Sequence, residues 1–143
     1  YSIFLVTNQP GVAKGFCSIN DVKNFHNVLQ NELIKNGLKP FNNIKFCPHH
    51  PESGFENEKS KYKIDCNCRK PSSGMVDEII TEFNISNSKS HFVFIGDTEN
   101  DLLLSKKYEA DFYLIKSKLT NFDYSSIVNL KIFNNFHNLA EEI

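Results

Sequence analysis

Two short strings, Cys47-Pro48-His49 and Cys66-Asn67-Cys68, constrain the fold of this chain more than any other feature. Sixteen residues separate His49 from Cys66, and this stretch is polar, carries Pro51 and Gly54, and has no hydrophobic period. Such a stretch cannot order itself, because too little apolar surface is available to offset the entropy of a fixed backbone. Three thiolates and one imidazole suit a closed tetrahedral structural zinc site. A cross-link at the base of the loop would supply the missing order. Cys47, His49, Cys66 and Cys68 are therefore the candidate zinc ligands. Unconnected buried cysteines and a redox Cys-x-Cys pair are the competing readings. His50 could substitute for His49, but the alternate-residue spacing of His49 matches that of the Cys-x-Cys pair better. Cys17, isolated after Phe16, reads as a core residue.

Composition narrows the function classes. Four cysteines in 143 residues are too few for a disulfide scaffold. A formal net charge of −1 gives no general electrostatic case for nucleic acid or an anionic membrane. No apolar run approaches the roughly 20 residues of a membrane span, and no signal peptide opens the chain. The expectation is one domain over residues 1–143, cytoplasmic and monomeric, with neither nucleic acid nor membrane as partner. Tyr1 leads directly into the apolar run Ser2-Ile3-Phe4-Leu5-Val6. A chain that opens inside a strand is expected to have lost its beginning.

Strand and helix signals alternate along the chain. Ile3–Val6 reads as a buried strand, followed by the turn-rich Thr7-Asn8-Gln9-Pro10-Gly11. Ser18 with Asp21 resembles a capping box, and Val22, Phe25, Val28, Leu29 and Leu33 then recur at helical spacing up to Asn36-Gly37. Ile44–Cys47 is a second strand and Pro48–Lys63 a long loop. Ser72 or Ser73 caps a helix with Met75, Val76, Ile79, Ile80 and Phe83 on its inner face. Phe92–Ile95, Phe112–Ile115 and Lys131–Phe133 are further strands. Helices are expected from Leu102 to about Tyr108 and over Asn134–Ile143. The order predicts an α/β fold with a parallel sheet covered on both faces. Ligands of such sheets sit at the carboxyl ends of strands, here Thr7-Asn8, Cys47, Gly96-Asp97 and Lys116.

Those ends carry suitable chemistry. Thr7, Asn8 and Gln9 offer a hydroxyl, amides and backbone N–H groups that could cradle a phosphoryl group, although such residues also make ordinary turns. Arg69 is the one arginine among 16 basic residues, and Lys70 follows it. A guanidinium can grip substrate oxygens bidentately and an ammonium can neutralise phosphoryl charge, the alternative being a solvated basic pair. Asp97 at a strand end is a good magnesium ligand, and Asp101 one turn later could orient Asp97, its waters or Lys70. The competing reading is helix capping by Asp97, with Glu99 and Asp101 complementing the helix dipole.

Together these residues resemble the haloacid dehalogenase (HAD) phosphatase superfamily, subfamily IIIA, over nearly the whole chain. Thr7-Asn8-Gln9-Pro10-Gly11-Val12 looks like its second motif, Lys70 its third, and Gly96-Asp97 with Asp101 its fourth. Cys47-Pro48-His49-His50-Pro51-Glu52 with Cys66-Asn67-Cys68-Arg69-Lys70-Pro71 is more specific. It is similar to the branch of sugar bisphosphate phosphatases acting on a heptose. Histidinol-phosphate phosphatases, which share the cysteine motifs around a shorter loop, are the alternative, and a non-catalytic phosphate-binding remnant is another.

The resemblance implies a Rossmann-like parallel sheet with a zinc-stapled loop, and a phosphoaspartyl intermediate formed on an aspartate. A second aspartate two residues on would protonate the leaving oxygen. Magnesium would be held in part by Asp97. Thr7, Asn8 and Lys70 would hold the phosphoryl oxygens, and Arg69 would contact the sugar phosphate. The Asp-x-Asp motif itself is absent from the sequence. The resemblance therefore implies an inactive chain with its central first strand missing, leaving Ile3–Val6 and Phe92–Ile95 as the flanks of an empty position.

Overall fold

The computed structural model describes residues 1–86, 88–128 and 130–142. The chain folds as two compact units, residues 1–83 and 84–143. Among the described residues, five strands form two parallel ladders, each inside its own unit. Among the described residues no helix is long and apolar enough to cross a membrane.

In the first unit, β1 (Phe4–Asn8) pairs in parallel with β2 (Asn43–Cys47), in a register running from Phe4 opposite Asn43 to Asn8 opposite Cys47. Parallel pairing needs a crossover, and α1 (Ile19–Lys35) supplies it. The capping box that starts α1 is the one the sequence suggests. The Ser18 N–H donates to Asp21 Oδ2 at 2.7 Å, and the Asp21 N–H donates to Ser18 Oγ at 3.1 Å.

The inner face of α1 differs from expectation. Val22 and His26 are buried and Leu29 and Leu33 half-buried, whereas Phe25 and Val28 are 63% and 59% exposed. At about 100° per residue, Val22, His26, Leu29 and Leu33 form one stripe, and Phe25 and Val28 fall outside it. The His26 ring packs edge-on against Phe46 of β2, and burial holds its pKa below the usual imidazole range. Histidine thus takes a place that a hydrophobic periodicity would give to phenylalanine.

The 48–63 loop is ordered chiefly by contacts rather than by regular structure, with one 3-10 turn at Ser60–Tyr62. After it, α2 (Gly74–Glu82) lies against β2, burying Met75, Val76 and Ile79. Ser73 stands at its N-cap position without a side-chain capping bond. Phe83, placed on the inner face by the sequence, is 39% exposed but meets Phe4 edge-to-face at 4.9 Å. Cys17 is half-buried rather than a core residue.

In the second unit, β3 (Val93–Gly96), β4 (Asp111–Ile115) and β5 (Lys131–Phe133) lie in that order, all parallel. Alternation along the central β4 splits the core in two. Phe112 and Leu114 join Leu102 in one cluster, with Phe94, Phe122 and Tyr124 packed around them. Ile115 joins Phe133 and Leu139 in the other. α3 (Glu99–Lys106) begins three residues before Leu102, and α4 (Phe136–Ala140) is shorter than the predicted Asn134–Ile143. Ile143, the last residue of that predicted helix, lies outside the described residues.

Candidate metal centre and phosphate site

Strand β2 ends at Cys47, which is fully buried, and Pro48 turns the chain so that His49 points back beside it. The ligand atoms of Cys47, His49, Cys66 and Cys68 all lie within 4.8 Å of one another. Cys68 Sγ is 3.1 Å from Cys47 Sγ and 3.3 Å from Cys66 Sγ, and Cys47 Sγ is 3.5 Å from Cys66 Sγ. His49 Nδ1 is 3.6 Å from Cys47 Sγ and 3.3 Å from Cys68 Sγ. Bonds of about 2.3 Å in a tetrahedron give sulfur–sulfur edges of roughly 3.8 Å, so a slight expansion would admit one ion. The donor set can hold a metal.

Electrostatics favour a cation there. Burial pushes the Cys68 thiol far up, and hydrogen bonding with Cys47 and Cys66 adds to the rise. Burial also raises Cys47. For Cys66, burial pushes upward, but hydrogen bonds from Cys68 and Cys47 outweigh it and carry the thiol down. Cys47 and Cys68, held up by burial, keep their protons unless a counter-charge replaces them. His50 lies outside this group. The residue is buried, and its Nε2 stands 3.4 Å from Glu52 Oε2. Burial, then the nearby Arg69 and Lys14 charges, holds its pKa down.

The loop between the ligands is stitched down at both ends. The His50 N–H donates to the Tyr62 carbonyl at 3.1 Å, and the Lys59 N–H donates to the Ala13 carbonyl at 2.8 Å. At the exit, the Gly74 N–H donates to the Asn67 carbonyl at 2.8 Å, tying the start of α2 to the Cys-x-Cys pair.

The basic pair is attached to the same cluster. Arg69 Nη1 donates to the His49 carbonyl at 3.0 Å. The Lys70 N–H donates to Asn8 Oδ1 at 2.9 Å, and Asn8 Nδ2 donates to the Lys70 carbonyl at 3.1 Å. Lys70 Nζ donates to the Val6 carbonyl at 3.1 Å. The Gln9 N–H donates to the Cys47 carbonyl at 2.7 Å, and Gln9 Nε2 donates to Thr7 Oγ1 at 3.2 Å. The first unit thus gathers Thr7, Asn8, Gln9, Arg69 and Lys70 at the carboxyl end of β1, beside the four donors.

The second unit carries its own strand-end carboxylate. Asp97 Oδ2 accepts from Ser117 Oγ at 2.6 Å, and the Asp97 carbonyl accepts from Thr120 Oγ1 at 2.8 Å. Sequence reasoning missed Ser117 and Thr120. The signal was present: the strand-end rule pointed at Lys116, and the hydroxyls follow it directly after β4. Asp101 is buried, and its Oδ2 accepts from the Thr98 N–H at 3.2 Å and from Thr98 Oγ1 at 2.6 Å. These bonds cap α3 through Thr98. Capping falls to Thr98 and Asp101, not to Asp97.

Gly96 permits that cap. A Cβ there would sit 2.4 Å from Asp101 Cβ and 2.6 Å from its Cγ. Gly96→Ala is expected to destabilise the second unit by roughly 2–3 kcal/mol through forced displacement of Asp101. Denaturant unfolding checks it, and an unchanged midpoint would mean that Asp101 moves aside without cost.

Known proteins resemble this chain in sequence and in fold. A model described as HAD-hydrolase-like matches residues 67–124. D-glycero-beta-D-manno-heptose-1,7-bisphosphate 7-phosphatase of Rhodopseudomonas palustris is 35% identical over 106 residues, 74% of this chain and 55% of that protein. The Pasteurella multocida protein of the same name is 37% identical, over 74% of this chain and 53% of its own length. The chain spans about half the length of these curated relatives. A solved D,D-heptose 1,7-bisphosphate phosphatase from B. bronchiseptica, complexed with magnesium and phosphate, superposes with a TM-score of 0.76 at 22% identity. That match covers 99% of this chain and 73% of the solved one. The first unit holds Lys70 at the end of β1 and the second carries Asp97 at the end of β3. The chain is similar to HAD-like hydrolases over residues 67–124 and to heptose bisphosphate phosphatases over about three quarters of its length.

Proposed function

We propose that this chain is the phosphate-handling part of a magnesium-dependent phosphatase that removes the 7-phosphate of D-glycero-D-manno-heptose 1,7-bisphosphate. The observation that carries the reading is the anchoring of Lys70, held at the carboxyl end of β1 by Asn8 and Val6 and adjoining the Cys/His cluster through Arg69. The names of the relatives support the substrate. The activity is that of the whole protein, since these 143 residues contain no Asp-x-Asp pair.

This chain's residues then bind and orient. The Thr7 hydroxyl and the Lys70 ammonium meet the oxygens of the transferring phosphoryl group, where a fixed cation is most valuable as charge develops. Arg69, its guanidinium directed by the His49 carbonyl, contacts the sugar phosphate. Ser117 holds the Asp97 carboxylate and Thr120 its main-chain carbonyl, and the carboxylate, as a hard oxygen donor, would hold magnesium. Bound there, magnesium would supply Lewis-acid polarisation. Zinc fits the Cys47, His49, Cys66 and Cys68 set, since all four positions are taken by protein donors, as in structural sites.

Lys70→Ala in the full-length gene product tests the reading. Turnover of the heptose bisphosphate is expected to fall about 100–1,000-fold, the usual loss for a fixed electrostatic donor, with Lys70→Arg restoring only part. Near-normal turnover by Lys70→Ala would overturn the role of Lys70. A preference for histidinol phosphate over the heptose substrate would overturn the substrate.

A further inference from the structure

We infer that Asn8 is a positioning residue that acts through Lys70, rather than a group that touches the phosphoryl oxygens itself. The inference rests on the phosphatase reading above and deepens it. The Asn8 carboxamide meets Lys70 with both of its ends, Oδ1 accepting from the N–H and Nδ2 donating to the carbonyl. A main-chain amide and carbonyl satisfied in this two-point manner are held in direction as well as in place.

The same strand holds the far end of the residue. Val6, two residues before Asn8 on β1, accepts from Lys70 Nζ through its carbonyl. Lys70 is therefore gripped at its main chain by a side chain and at its ammonium by a main chain, both from β1. Arg69 and Lys70 lie outside any helix or strand, between the ligand Cys68 and α2, so no ladder fixes their backbone. Asn8 takes the place of that ladder across a separation of 62 residues.

The energetic consequence follows from the lysine side chain. A long, rotamer-rich cation loses much freedom when it is held in one geometry, and anchoring it beforehand removes part of that loss from the binding step. Asn8 thereby improves the phosphate grip of Lys70 without contacting phosphate. One of the two Nδ2 hydrogens already serves the Lys70 carbonyl, and Oδ1, an acceptor, cannot meet an anionic oxygen.

A double-mutant cycle with Asn8→Ala and Lys70→Ala tests this in the full-length protein, with inorganic phosphate as the calorimetric probe. Asn8→Ala alone is expected to weaken phosphate binding about 10–30-fold and to add less than about twofold in the Lys70→Ala background. The same 10–30-fold loss in both backgrounds would overturn the inference, because Asn8 would then act on the anion directly. Metal content and melting temperature of the variants separate misfolding from lost positioning. Should Asn8→Ala fail to fold, Asn8→Ser retains a hydroxyl for one of the two bonds and enters the same cycle. The two readings fail differently: normal turnover by Lys70→Ala removes the assignment of Lys70, whereas additivity removes only the inference about Asn8.

Discussion

Stripping the metal from Cys47, His49, Cys66 and Cys68 is expected to release the 48–65 loop and lower the melting temperature by about 10 °C or more. The size follows from two magnitudes. Structural zinc in small peptide folds contributes roughly 10–16 kcal/mol of apparent folding free energy. In a chain of this size each kcal/mol moves the midpoint by roughly 3–5 °C. Even a small part of the zinc contribution therefore gives a shift that is easily measured. In the loop, Glu58 pairs with Lys63 and accepts from the Gly54 and Phe55 N–H groups, and Phe55 meets Phe16 edge-to-face. The His50–Tyr62 and Lys59–Ala13 backbone bonds and one 3-10 turn hold only parts of the loop.

Proton release provides an independent signature. Burial holds the Cys47 and Cys68 thiols protonated in the absence of a metal. Metal entry must displace those protons, so affinity is expected to fall as pH is lowered. Calorimetry in two buffers of different ionisation enthalpy reads the protons released. Chelation that leaves the melting curve unchanged, together with tolerance of Cys68→Ser, would show that the donors are not a metal centre.

Gly15→Ala is expected to be as damaging for a purely steric reason. A Cβ at Gly15 would lie 1.8 Å from the Asn57 carbonyl oxygen and 2.4 Å from its carbon. The residue also has φ +79°, a left-handed conformation that costs an alanine about 1 kcal/mol or more. Neither neighbour can yield cheaply, because the obstruction is backbone. The 10–17 turn and the metal loop must therefore separate, breaking the Lys59–Ala13 bond. A loss of roughly 3–5 kcal/mol is expected, within the upper range for single substitutions. Denaturant unfolding measures it, and faster proteolytic cleavage near Asn57 would localise it. An unchanged midpoint would mean that the loop contact contributes nothing to stability.

Much of the site was legible in the sequence because its parts are local. The alternate-residue spacing of Cys47 with His49 and of Cys66 with Cys68 named the four donors that the fold brings within 4.8 Å. The strand-end rule placed Thr7, Asn8 and Asp97 where β1 and β3 end. Ser18 and Asp21 announced the start of α1. Periodicity was less informative on that helix, since it counted Phe25 and Val28 as inward and had no place for His26.

What the sequence by itself determined is what covalent spacing dictates: the donor set, the strand ends, the order of strands and helices, and the helix cap. Tertiary structure alone decided how those parts are used. It set Asn8 on the Lys70 main chain, Ser117 and Thr120 on Asp97, and Asp101 on Thr98, and it made Gly15 indispensable opposite Asn57. A side-chain amide, hydroxyl or carboxylate has several possible partners of equal chemistry, and spacing cannot choose among them. The choice falls to whichever backbone groups the packed strands and loops bring within about 3 Å, because a buried polar group must be paired wherever the fold puts it.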